Sequence, residues 1–184
     1  MGAFKQTYKL VHETNITSAT TSITVDGIFQ TGKSYFITGD SFYYQTTGTH
    51  MVLYLRSAQA NNTDASYQRG SQIAQHSQSS LLVQKNNGSA NGGTIIYVGN
   101  SAVESGGFKF YFNSNAYSQT DSYWFDGIGH VDGTGYRGTT QYSTKLQISK
   151  FDGFQIGFNG FSALAGNLKI FEINLNESEY LTNV

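Results

Sequence analysis

The chain has 184 residues, with no cysteine and no proline, and it carries 13 phenylalanines, 13 tyrosines and one tryptophan. Only 12% of the residues are charged, the formal net charge is -1, and no two basic residues are adjacent. This composition excludes disulfide scaffolds and collagen. The sequence has no stripe of basic residues that would bind nucleic acid, and none of its apolar runs approaches the roughly 20 residues that are needed to cross a bilayer. The length predicts one domain, residues 1–184, whose core is large enough to be stable without a metal ion or a disulfide bond.

Apolar residues alternate with polar ones along most of the chain. An alternation of period two places apolar side chains on one face of an extended segment, so it predicts strands. No window shows the apolar spacing of an amphipathic helix. In chain order, the pattern predicts strands over Phe4–Leu10, Ile23–Phe29, Met51–Arg56, Thr94–Val98, Phe108–Phe112, Ser122–Val131, Phe154–Phe158 and Leu168–Ile173.

Asp-Gly and Asn-Gly pairs, which accept positive φ in tight turns, separate many of these segments. We expect hairpin or bulge turns at Asn159–Gly160 and in residues 86–93. The stretch Ala58–Ser80, rich in Ser, Gln and Asn, is predicted to be a long surface loop with at most one turn of helix. Residues 175–184 are predicted to fray. Many short strands in a chain of this length predict an all-β fold, a jelly-roll-like antiparallel β-sandwich.

Several predicted strands carry apolar residues on both faces. Phe108, Tyr111 and Phe112 show this in one strand, and Ile170 and Phe171 show it in another. If one face of such a strand meets the core, the other face is left to meet a neighbouring molecule. The sequence therefore predicts a homo-oligomer, such as a trimer.

The sequence predicts no enzyme, no cofactor and no metal site. Residues 133–138 match the Gly-x-Gly-x-x-Gly dinucleotide pattern, but poor helix formers follow where a helix N-terminus would have to receive the phosphates. No Gly-x-Ser-x-Gly nucleophile motif occurs. His130 and Asp132 could share one strand face, which leaves a metal there as an alternative, but the sequence shows no further ligands. Asp126 and Asp132, a candidate acid pair, each precede a glycine, where a turn is the commoner role.

One segment concentrates the side chains that bind sugars. Residues 121–137 hold the single Trp, two Tyr, a His, an Arg and three Asp. Aromatic faces cover the C–H patches of a sugar ring, and planar polar groups bind its hydroxyls. The alternative is a core strand with a buried Trp124, followed by a loop. The candidate glycan-binding residues are Tyr123, Trp124, Asp126, His130, Asp132, Tyr136 and Arg137.

Five short pieces of the sequence resemble, in order, a group of small virion proteins of tailed bacteriophages. They are SITVDGIF at 22–29, SYFITG at 34–39, MVLYLR at 51–56, FQIGF at 154–158 and GNLKIF at 166–171. In that group, similar pieces form the early strands and the closing strands of a sandwich. The pieces span nearly the whole chain, and none of them is a catalytic signature.

The resemblance implies a structural protein of a virus particle. Its place there would be a tail fibre or baseplate tip that contacts host-surface glycans, with other virion proteins and further copies of the chain as partners. Two alternatives share the fold. A capsid decoration protein would bind the head lattice, and a free lectin-like module would bind carbohydrate without a particle. The group carries no common catalytic residues.

Overall fold

A computed structural model describes residues 5–44, 50–61, 67–75, 82–89, 93–96, 105–114, 122–131, 135–145, 150–159 and 162–176 of the chain. Within these ranges every regular element is a strand and none is a helix. The strands form two antiparallel sheets. The predicted all-β, sandwich-like fold is therefore confirmed.

Thirteen strands are found in the described part of the chain. Eight of them form one sheet in the order β1-β13-β3-β9-β10-β11-β6-β7, and four form a second path in the order β2-β12-β4-β5, with β8 also paired to β4. The strands are β1 Lys5–Ile16, β2 Ser22–Val25, β3 Ser34–Tyr44, β4 His50–Ser57, β5 Ala60–Asn61, β6 Tyr67–Gln75, β7 Leu82–Ser89, β8 Gly93–Ile96, β9 Ser105–Asn113, β10 Ser122–Val131, β11 Gly135–Lys145, β12 Gly153–Asn159 and β13 Ala163–Asn176.

Aromatic rings fill the space between the two sheets. Phe29, which follows β2, stacks on Phe112 of the eight-stranded sheet at 4.0 Å and on Phe154 of the five-stranded sheet at 5.7 Å between ring centroids. Phe110 meets Phe154 edge-on at 5.8 Å. Alternate residues of each strand point inward, so the apolar residues that recur with a period of two in the sequence pack together in this one core. Its other buried members include Ile23, Val25, Tyr35, Ile37, Phe42, Met51, Leu53, Leu55, Phe108, Ile156, Phe158, Leu168 and Ile170.

The predicted long loop at Ala58–Ser80 is wrong. Strand β5 lies within it, and so does the nine-residue strand β6. Strand β6 has a polar sequence without apolar alternation, but it is paired to β11 on one side and to β7 on the other. The two ladders satisfy its backbone hydrogen-bonding groups, so pairing across the sheet replaces the missing apolar face.

The hairpin or bulge turns expected at Asn159–Gly160 and in residues 86–93 close no hairpin. A register shift between β6 and β7 leaves Gly88 with no residue opposite it, so the bulge expected in residues 86–93 is confirmed. Gly160 lies outside the described residues. Asn159 ends β12 of the five-stranded sheet, whereas the next strand, β13, belongs to the other sheet. Residues 86–89 lie in β7, and the following strand, β8, again belongs to the opposite sheet. These connections pass between sheets instead of closing hairpins. The strand order does not by itself establish a jelly roll, which stays a prediction. Strand β13 extends to Asn176, and residues 177–184 of the predicted frayed end lie outside the described residues.

Candidate functional site

The outer face of the eight-stranded sheet carries large apolar side chains. On strand β3, Tyr35 and Ile37 are buried in the core, so Phe36 between them points away from it. On the edge strand β1, Tyr8 and Leu10 are 50% and 47% exposed, which makes them the exposed large apolar side chains of the described part of the chain. The face opposite the core is therefore not a purely polar surface.

These side chains form a continuous line across four strands. Cross-strand register pairs Leu10 with Phe171, Phe171 with Phe36, and Phe36 with Tyr111. The ring centroid of Phe36 lies 6.2 Å from that of Phe171 and 4.8 Å from that of Tyr111, and the interplanar angles are 28° and 32° respectively. Tyr8 crosses this line, at 62° to Phe36 and 88° to Phe171. Edge and offset contacts of this kind are favourable geometries for aromatic pairs.

Backbone register continues the line over two further strands. Trp124 of β10 is paired with Tyr111, and Tyr142 of β11 is paired with Trp124. Residues directly opposite each other in antiparallel strands take positions on the same face. We call the six positions the aromatic row, since five of them are aromatic: Leu10, Phe171, Phe36, Tyr111, Trp124 and Tyr142.

Charged and hydroxyl side chains occupy the positions along one side of the row. Register joins Glu13 to Lys169, Lys169 to Thr38, and Thr38 to Lys109. The Lys169 ammonium lies 3.8 Å from a Glu13 carboxylate oxygen, with these side chains 40% and 38% exposed. Asp126 of β10 continues the line at the position opposite Lys109. Two acidic and two basic residues thus occupy the positions along this side.

Amides and a hydroxyl extend the polar surroundings. On the other side of the row, Ser34 donates a hydrogen bond to the Asn113 side-chain carbonyl at 3.4 Å. Beyond Lys169, the Asn167 amide donates to Glu13 at 2.9 Å and to the Asn15 carbonyl oxygen at 2.5 Å. On the Ser34 side of the row, Ile173 is paired with Ser34, and Tyr8 is paired with Ile173. The row is therefore an aromatic line bordered by charged, amide and hydroxyl groups and, on β13 and β1, by these two apolar side chains.

The register separates the sequence-predicted glycan-binding residues into two sets. Trp124, Asp126 and His130 take alternate positions of β10 on the side of Tyr111, and Tyr136 of β11 is opposite His130. The backbone register thus gives these four residues positions on the outer face.

The remaining candidates do not join them. Tyr123 is paired with Phe112, whose side chain is buried in the core, and Arg137 is paired with Gly129, which alternates with His130. Asp132 lies outside the described residues. A role for any of the seven residues in glycan binding stays a prediction.

Sequence reasoning missed the part of the row that comes from distant strands, namely Phe36, Tyr111 and Phe171, and it missed Tyr8 beside the row. The signal was present, because the strands that carry Tyr111 and Phe171 have apolar residues in both alternating sets. That signal was interpreted as a surface for self-association. Only the register shows that the outward residues align with Trp124.

Comparison of the chain with protein-family models, with curated proteins and with solved structures gives no match. The resemblance to phage virion proteins accordingly stays a prediction, and the function is argued from the geometry of the outer face.

The five-stranded sheet carries a polar cluster of a different kind. Arg56 is buried, and its guanidinium donates to both carboxylate oxygens of Asp26, at 2.6 and 3.2 Å, and to the Asn61 carbonyl oxygen at 2.5 Å. A further nitrogen donates to the backbone oxygen of Gln59. The hydrogen bonds of the Arg56 guanidinium are thus made within the cluster, since the Asp26 carboxylate binds it in a bidentate manner. Its role is to join β2, β4 and β5.

Two pKa shifts occur at one end of the eight-stranded sheet. The hydrogen bond from the Lys33 ammonium to Glu172, 2.8 Å long, and the charge of that carboxylate raise the pKa of Lys33. Burial raises the pKa of the Tyr35 hydroxyl, which accepts a hydrogen bond from the Gln30 amide at 3.0 Å. Both shifts favour the protonated form, which is the ordinary form of lysine and tyrosine at neutral pH.

Among the described residues, no group of three or more His, Asp and Glu side chains is placed to hold a metal ion. In the same part of the chain, no helix has the length and apolar character needed to cross a bilayer.

Proposed function

We propose that this chain is a non-enzymatic structural protein of a virus particle that binds host-surface glycans through the outer face of its eight-stranded sheet. The observation that carries the binding part is the aromatic row, with Tyr8 and Ile173 beside it and with hydroxyls, amides and charges of both signs along its borders. Sugars present apolar C–H faces and a rim of hydroxyls, so an aromatic surface with polar borders is complementary to them.

Two observations support the position of the site. Trp124, which the sequence marked as the centre of a sugar-binding segment, takes a place in the row next to Tyr111. The row also lies on a paired sheet rather than on loops. A binding surface built on strands holds its side chains in fixed relative positions, which lowers the entropy lost on binding.

The virion part of the proposal is supported by the resemblance of five short pieces, residues 22–29, 34–39, 51–56, 154–158 and 166–171, to tailed-phage virion proteins. A protein that is rich in strands, with few charges and no proline, suits the surface of a particle, and many Tyr, Ser, Gly and Asn residues suit adaptable recognition. The same surface would serve a tail-fibre or baseplate tip.

A glycan array probed with the purified chain tests this function. We expect binding to a subset of glycans, and we expect Trp124→Ala to reduce it about tenfold, the loss of roughly one aromatic contact. Tyr54→Ala is the matched control, because Tyr54 lies half-buried on the outer side of the five-stranded sheet. Absence of binding to any glycan would overturn the binding proposal, and absence of the chain from purified particles of a phage that encodes it would overturn the virion assignment.

A further inference from the structure

We infer that the aromatic row binds one extended, uncharged polysaccharide chain that runs across the strands. This inference depends on the proposed glycan-binding function and specifies the class of ligand and its direction. The row has one position on each of six adjacent strands. At the usual spacing between paired strands it is about 24 Å long. A line of that length contacts several consecutive sugar rings and not a single terminal sugar.

The width of the row favours a linear ligand over a second copy of this chain. The next residues on the same face of each strand are about 7 Å away along that strand, and Ile173 and Tyr8 make the apolar surface two residues wide on β13 and β1. The apolar surface therefore covers on the order of 240 Å². A stable protein interface needs about 800 Å² on each partner. A second copy would therefore have to bury Glu13, Lys169 and Lys109 as well, and desolvation of these charges opposes that.

The charges along the row favour an uncharged ligand. Glu13 and Lys169 pair with each other, and Lys109 is opposite Asp126 in the register. The two acidic and two basic residues at these four positions sum to zero, so this side of the row has no net positive charge that would hold an acidic sugar. The hydroxyl of Ser34 and the amides of Asn113 and Asn167 instead match the hydroxyl rim of neutral sugars.

The twist of the sheet further restricts the ligand. Neighbouring strands are rotated by roughly 20–25°, so the ends of a row of six strands differ in direction by about 100°. A single flexible chain can follow such a line, whereas the flat face of a crystalline polysaccharide cannot contact all of it. Soluble chains are therefore the expected ligands.

Titration of the purified chain with neutral oligosaccharides of increasing length tests the inference. The probes are the cello-, chito-, xylo- and manno-oligosaccharides from disaccharide to hexasaccharide, with oligogalacturonides of equal length as the acidic comparison and crystalline cellulose as the flat surface. We expect at least one neutral series to bind about tenfold or more tightly at six sugars than at two. Tyr8→Ala and Tyr111→Ala should each weaken hexasaccharide binding about tenfold, and Tyr54→Ala should leave it unchanged.

The contrary outcomes separate this inference from the function on which it rests. Binding that is independent of chain length, that prefers the acidic series, or that is unaffected at Tyr8 and Tyr111 would overturn the inference while glycan binding stands. Binding to crystalline cellulose as tight as to the soluble chains would also overturn it. Binding to no glycan would overturn both proposals. A wild-type oligomer that Tyr111→Ala converts to a monomer, measured by light scattering, would assign the face to self-association and would likewise overturn the inference.

Discussion

Replacement of Phe154 by alanine is expected to lower the free energy of unfolding by about 3–5 kcal/mol. Phe154 has no exposed surface, and it contacts Phe29 at 5.7 Å and Phe110 at 5.8 Å between ring centroids. It thus joins the five-stranded sheet to Phe110 of the eight-stranded sheet. Loss of the ring removes apolar burial and leaves a cavity between the two sheets, which cannot close without moving both of them.

Urea unfolding followed by far-ultraviolet circular dichroism measures this effect. Phe171→Ala is the matched control, since the same ring on the outer face is only half-buried and its loss opens no cavity between the sheets. We expect that variant to lose about half as much or less. Phe154→Leu should lose no more than about 1.5 kcal/mol, and it provides a folded variant if alanine prevents folding. Equal losses in Phe154→Ala and Phe171→Ala would show that the interior between the sheets is not the core.

Replacement of Gly153 by alanine is expected to cost about 2–3 kcal/mol because the new methyl group would collide with backbone. A Cβ at this position would lie 2.1 Å from the Val25 carbonyl oxygen and 2.8 Å from the Asp26 Cα. Val25 is the last residue of β2 and is paired with Phe154 of β12, and Asp26 directly follows it. The backbone there cannot rotate away as a side chain can, so β2 would have to shift from its partner.

Gly157, on the same strand, is the matched control. A Cβ there would lie 3.8 Å from the Tyr54 ring and 3.9 Å from the Val52 carbonyl oxygen, which are ordinary van der Waals contacts. We expect Gly157→Ala to change the free energy of unfolding by less than about 1 kcal/mol, because alanine loses less backbone entropy than glycine in a strand. Thermal unfolding of the two variants side by side makes the comparison. Similar losses in both would contradict the placement of β2 against β12.

The alternation of apolar residues was enough to predict strands at β9, β10, β12 and β13, because a strand with one buried face shows a period of two within its own sequence. The polar strand β6 was missed for the opposite reason. Its stability comes from pairing with β7 and β11, and no local pattern records those partners.

The candidate site was predictable only in part. Trp124 stands in a segment with unusual composition, so a window of sequence could identify it. Its neighbours in the row come from strands that are far apart along the chain, with β1 paired to the last described strand and β3 paired to β9. Register between such strands is set by the packing of the whole sheet. The sequence therefore predicted apolar residues on both faces but could not show that they form one line.

The most direct test is to map the bound hexasaccharide by nuclear magnetic resonance, using the tightest-binding neutral series and following the backbone amide signals. The account predicts the largest shifts at Phe36, Tyr111, Trp124 and Phe171, with little change at Tyr54 and Gln155 on the outer side of the five-stranded sheet. Shifts centred on the five-stranded sheet, or confined to residues away from the eight-stranded sheet, would contradict it.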